Sequence, residues 1–242
     1  YPQDDPMDVV EEMCEAVGLD SGSVAVDADG PADRMGYQGP TLSALLDADV
    51  RIERYVRTMR ETKSDGELEL LREAAVWAHH SHRKLQSKIE RGRRPVLVTE
   101  EVRTEGAREM LDAVGDNMEM SGWEGPISCM VAAGEYSVMP HNTDDSAPLE
   151  RGDNVLTYVR PDVGGYGVKL ERTMFLGEPT AEQADFFRIA KEAQQVALET
   201  IEPGADVAAV EERVNDYFEA EGIPYEQYRK HHIGHGLGLG MH

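Results

Sequence analysis

Asn154-Val155-Leu156-Thr157-Tyr158-Val159, the pair Gly164-Gly165, and Tyr166-Gly167-Val168-Lys169-Leu170-Glu171-Arg172-Thr173-Met174-Phe175-Leu176 together decide the fold. Two strand-like runs flank a diglycine, and a tight turn between twisted strands needs backbone that glycine adopts at little cost. The stretch reads as an antiparallel hairpin. Its second arm carries Lys169, Glu171 and Arg172, and charges inside an otherwise apolar strand are costly unless paired or used. Lys169 and Glu171 are two apart and share a face. That spacing fits a structural ion pair as well as a working site.

Outward from the hairpin, Ile127–Ala133 reads as a buried strand and residues 134–148 as a loop. A helix is expected over residues 180–201, stopped by Pro203-Gly204, and another over 206–220, stopped by Gly222 and Pro224. Upstream, Ser64 followed by Glu67 has capping-box spacing and opens a long helix. Its stripe is Leu68, Leu71, Ala75, Ala78, His82, Leu85 and Ile89. A second helix is expected after Thr99, with Val102, Ala107, Met110, Leu111 and Val114 on one face, although Gly106 weakens it. The first residues are mixed α/β: a helix near 9–17, a short strand at Ser23-Val24-Ala25-Val26-Asp27, and a helix starting behind Pro40. Helices alternating with antiparallel strands make the fold class α+β. The expected division is residues 1–58 and residues 59–242.

Composition narrows the function. There are 47 Asp and Glu against 24 Lys and Arg, a net charge of −23, and this repels phosphate backbones. Nucleic-acid binding is excluded as a first expectation. The only lysines are Lys63, Lys84, Lys88, Lys169, Lys191 and Lys230. Many carboxylates with few lysines suggest a halophilic type of surface, kept hydrated in concentrated salt. Cys14 and Cys129 form no disulfide framework, which points to a reducing, cytoplasmic setting. No apolar run approaches the roughly 20 residues that span a bilayer, so no membrane partner is expected.

Three histidine contexts stand out. Gly234-His235-Gly236 sets an imidazole between residues without Cβ, so a ligand can come close. His242 lies seven residues on, and a turn must intervene for both rings to reach one site. His141, in Pro140-His141-Asn142, follows a buried strand and suits acid–base work near neutral pH. His79, His80 and His82 have no carboxylate or cysteine at ligand spacing and read as a solvated face rather than a metal site.

In order and spacing, these pieces resemble the pita-bread superfamily of methionine aminopeptidases, prolidases, Xaa-Pro aminopeptidases and creatinases. The likeness is carried by Lys63-Ser64, Pro140-His141, Gly152-Asp153, Gly165-Tyr166, Arg172-Thr173, Pro203-Gly204, and Gly234-His235-Gly236 with His242 beyond. It implies a curved antiparallel sheet covered by helices, preceded by the tail of a smaller creatinase-like α/β domain. It also implies a homodimer, and a pita-bread domain incomplete at its C-terminus, where the family supplies two further glutamates.

Peptidase members hold two divalent metals with two hairpin aspartates eleven positions apart, the Gly-His-Gly histidine and those glutamates. The aspartate positions fall here on Tyr158 and Lys169, and Asp153 and Asp162 do not restore the register. A phenol and an ammonium make a poor cation site, so no metal cofactor is expected. The metal-free creatinase branch is nearer. It shares Leu170-Glu171-Arg172-Thr173, its acid–base histidine falls at His141, and its substrate-binding glutamate falls at Glu171.

The resemblance thus implies hydrolysis of a C–N bond, amide or amidine, in a small molecule or short peptide. The expected catalytic set is His141, His235 and Glu171, with His242, Tyr166, Lys169 and Tyr158 around the substrate. One alternative is an Xaa-Pro dipeptidase or aminopeptidase using Mn, Co or Zn. The other is a non-catalytic peptide- or protein-binding module.

Overall fold

The computed structural model describes residues 6–30, 39–115, 125–139, 147–224 and 232–239. It divides into two compact units, residues 1–64 and 65–242. In the first, β1 (Ser21–Val26) and β2 (Asp47–Ile52) pair in parallel, with α1 (Pro6–Ala16), α2 (Leu42–Leu45) and α3 (Tyr55–Glu61) around them. Met7, Leu42 and Leu46 form its small core. The expected division after residue 58 falls within α3. Neither β2 nor α3 was expected from the sequence, although Asp47, Asp49 and Arg51 alternate with Ala48, Val50 and Ile52 at the period of a strand.

The second unit begins with α4 (Asp65–Ser87) and α5 (Pro95–Val114), then β3 (Ile127–Ala133) and a 3₁₀ turn, Gly134–Val138. Next come β4 (Asn154–Val163), β5 (Tyr166–Gly167) and β6 (Leu170–Phe175), followed by α6 (Ala181–Thr200), α7 (Val207–Ala220) and β7 (Gly238–Leu239). The sheet is antiparallel, ordered β3-β4-β5-β7, with β6 also beside β4. The diglycine makes its turn as expected: Gly164 and Gly165 have φ of 59° and 85°, as a two-residue hairpin loop with the right twist requires.

The second arm of the hairpin is not one strand. Val159 pairs with Leu170 and Asp162 with Gly167, so the register runs unbroken and sets Pro161 opposite Val168. The Asp162 N–H points away to the Pro126 carbonyl. Backbone donors alternate sides, so the ring nitrogen of Pro161 faces Val168 with no hydrogen to give. The ladder opens there, and Val168 and Lys169 belong to neither β5 nor β6.

Alternation divides β4 into two faces. Val155, Val159 and Val163 join Ile127 and Val131 of β3 under Leu85, Val98, Val102 and Met110 from α4 and α5. Each such side chain, fully buried, contributes about 1.5–3 kcal/mol of apolar transfer. Gly106 sits where α5 presses on this layer. A Cβ there would lie 3.2 Å from Ser81 Oγ and 3.3 Å from Ile127 Cγ1, which explains a glycine inside a helix. The start of α5 is earlier than expected: Pro95 occupies its first turn and Thr99 is a buried interior residue, not a cap. Between α4 and α5, Lys84 reaches Glu105 and Glu109 at 3.3 and 2.7 Å, and Lys88 reaches Glu101 and Glu105 at 3.2 and 2.9 Å.

Of the α4 histidines, His79 and His80 are exposed, as a solvated face requires, and only His82 departs from it. His80 Nε2 lies 2.6 Å from Glu109 Oε2, and His82 is buried. Downstream, α6 opens on a full capping box between Thr180 and Gln183, and Asp206 caps α7 through the Ala208 N–H. Among the described residues, no helix is long and apolar enough to cross a membrane.

Candidate active site

The face of β4 turned away from α4 and α5 carries Tyr158, Arg160 and Asp162. Cross-strand partners share a face, so Glu171, opposite Tyr158, stands there too. Lys169, two residues before Glu171, keeps the same side and leaves the sheet at the gap opposite Pro161. Its ammonium donates to His235 Nε2 at 3.1 Å. The other ring nitrogen of His235, Nδ1, donates to the Gly236 carbonyl at 2.6 Å, which leaves Nε2 as the acceptor. Two short strands make this meeting possible across 66 residues of chain. In β5 and β7, Tyr166 pairs with Leu239 and Gly167 with Gly238, laying the Gly-His-Gly turn alongside Lys169.

Two polar features brace the arrangement, and sequence reasoning missed both. Arg160 is buried, with Nη2 3.6 Å from Asp162 Oδ2. Asp162 Oδ1 accepts the Gly165 N–H at 2.8 Å, fixing the hairpin turn. The Arg160 guanidinium lies over Gly167, where any Cβ would come within 2.6 Å of it. This explains the glycine in β5. The available signal was period-two spacing: Tyr158, Arg160 and Asp162 place three polar groups on one face of an otherwise apolar strand.

Tyr166 goes elsewhere. It pairs with Val163, a residue of the helix-covered core, and its hydroxyl donates to Glu67 Oε1 of α4 at 2.8 Å. It is therefore apart from Tyr158, Lys169, Glu171 and His235, which the structure brings to one region. His141 and His242 lie outside the described residues.

The donor set does not suit a pair of divalent ions. At the two positions where the resemblance leads one to expect aspartates, Tyr158 offers a phenol and Lys169 an ammonium, and that ammonium takes the imidazole nitrogen a metal would need. Among the described residues, no group of three or more His, Cys, Asp or Glu is arranged to hold a metal ion. Cys129 offers no alternative nucleophile, since burial pushes its thiol up to about 12.

Residues 69–242 match the Peptidase_M24 family, metallopeptidase family M24. The chain belongs to that family. The Xaa-Pro dipeptidase of Pyrococcus horikoshii is 28% identical over 195 residues, 79% of this chain and 51% of that protein. That of Pyrococcus furiosus is 27% identical over 193 residues, with the same coverage of each. The M24 chain described here thus spans about half the length of these curated relatives. Among solved structures, the prolidase from Pyrococcus horikoshii OT3 superposes with a TM-score of 0.76 at 23% identity, covering 96% of this chain and 62% of that one. The Xaa-Pro dipeptidase from Bacillus anthracis gives 0.75 at 24%, covering 99% and 63%. The fold is the α+β pita-bread fold.

Proposed function

We propose that this M24 chain is part of a hydrolase that cleaves a C–N bond, amide or amidine, in a small molecule or short peptide without a divalent ion. The observation that carries the reading is the Lys169 ammonium donating to His235 Nε2 at 3.1 Å. A fixed cation stands where the family's ions would be ligated. His141 acts as general acid and base. It takes a proton from water as the oxygen adds to the carbon, then delivers it to the leaving nitrogen as the C–N bond breaks; such catalysis contributes typically about 10²–10⁴-fold. Lys169, aimed by His235, donates to the oxygen on which negative charge grows. Glu171 holds a cationic group of the substrate, and Tyr158 and His242 line its place. Tyr166, fastened to Glu67, supports the hairpin rather than touching substrate. The protein works as a cytoplasmic homodimer, and residues 1–58 are the tail of the α/β domain that precedes the catalytic one.

A second reading has one observation in its favour: the relatives named above are Xaa-Pro dipeptidases, in a family of metallopeptidases. In that case Mn, Co or Zn takes part. Elemental analysis of the purified protein, with hydrolysis of small amides and Xaa-Pro dipeptides measured with and without chelator, separates the two. Turnover that survives chelation and is lost in His141→Ala supports the first reading. Stoichiometric metal and chelator-sensitive dipeptide cleavage overturn it. Peptide binding with no turnover in either condition overturns both.

A further inference from the structure

Behind the rung that presents Tyr158 and Glu171 stands a buried polar chain that the proposed chemistry does not use. His82, on the side of α4 facing β4, is 8% exposed. Its Nε2 lies 3.0 Å from Thr157 Oγ1, and the Thr157 hydroxyl donates to the Arg172 carbonyl at 2.9 Å. A hydroxyl has one hydrogen, and here it goes to the carbonyl. His82 is therefore the donor, with its proton on Nε2. Thr157 and Arg172 are cross-strand partners of β4 and β6, and the next rung is Tyr158 with Glu171, on the opposite face.

We propose that His82 is a positioning residue for the site: its Nε2–H, relayed by Thr157, holds β6 against β4 and so sets the separation of the Tyr158 phenol and the Glu171 carboxylate. The inference rests on the reading of that face as the working one. Among the described strands, β6 pairs with β4 alone, so that ladder, with Phe175 packed edge-on against Phe187 of α6, sets where Glu171 stands. A buried hydrogen bond is worth about 1 kcal/mol net and costs more when one partner is left unmade.

The charge around His82 favours the neutral ring. Burial, then Arg172 of β6, then His79 of its own helix hold its pKa below the ordinary value. From α5, Glu101, Glu105 and Glu109 are engaged by Lys84, Lys88 and His80, and β4 offers only apolar neighbours beside Thr157 on that face.

The test uses protein labelled at tyrosine ¹³Cζ, with the Tyr158 resonance assigned by its loss in Tyr158→Phe. His82→Gln places an amide N–H at the reach of Nε2, His82→Leu fills the volume with no donor, and Thr157→Val removes the relay. The expected result is a wild-type Tyr158 resonance in the Gln variant and a displaced one in the Leu and Val variants. On acidification the wild-type resonance shows a displacement that His82→Gln lacks, while any shift from Glu171, opposite Tyr158, is common to both. With a hydrolysed substrate in hand, KM rises about tenfold in Thr157→Val and returns to wild type in His82→Gln. An unmoved Tyr158 in Thr157→Val, or a Gln variant no closer to wild type than Thr157→Val, overturns the proposal even if His82→Leu fails to fold. Because the resonance is read without substrate, absence of turnover counts against the proposed function and leaves this result standing on its own.

Discussion

The two faces of β4 are made from one run of ten residues and obey opposite rules. On the helix side, Val155, Val159 and Val163 are packed shut, and the one polar residue among them, Thr157, is satisfied from both directions by His82 and the Arg172 carbonyl. On the other side, Tyr158, Arg160 and Asp162 meet Lys169, Glu171 and His235. The comparison teaches that a strand can confine its cost to alternate positions. Apolar burial on one side holds the backbone that the other side loads with charge.

Cutting into the packed face is the harshest way to break this contrast. Leu85→Ala leaves a hole at a site with no solvent exposure and should cost about 3 kcal/mol, read as a fall in the urea midpoint with the slope unchanged. On the polar face, Gly167→Ala must push the buried Arg160 guanidinium off the strand, costing about 2 kcal/mol. Its sharper signature is local: Arg160→Ala combined with Gly167→Ala should recover part of the loss in a double-mutant cycle. Tyr166→Phe removes the donor to Glu67 and should cost about 1 kcal/mol, with the Lys169–His235 contact intact by crystallography. The smallest effect is a slope. His82 has a folded pKa below its ordinary 6.5, so between those two values the unfolded chain binds more protons. Stability is full above about pH 6.5 and declines as pH falls below it. Melts at pH 7.5 and pH 5 should show a gap that narrows in His82→Gln.

Local chemistry made much of this legible. Gly164-Gly165 announced the turn, Pro203-Gly204 and Gly222 marked where α6 and α7 stop, and the strand over Asn154–Val159 was visible. What failed depended on partners far along the chain. Pro95 signals the start of α5, yet Thr99 with its following glutamates is the more familiar cap. Pro161 breaks the second arm of the hairpin from across the ladder, where no reading of that arm alone can find it. His82 sits at an apolar stripe position, and its purpose is visible only beside Thr157, 75 residues on. The meeting of Lys169 and His235 rests on strands of two residues each, too short to leave a periodic trace.

The missing hydrogen at Pro161 has a mechanical meaning. Lys169 hangs from a span of two residues outside both strands, tethered at Gly167 on one side and Leu170 on the other, with Val168 packed against the core. With both anchors fixed, the radius swept by its amine is governed by the length of the side chain itself. Shortening or stiffening that arm retunes where the positive charge arrives without disturbing the scaffold that carries it.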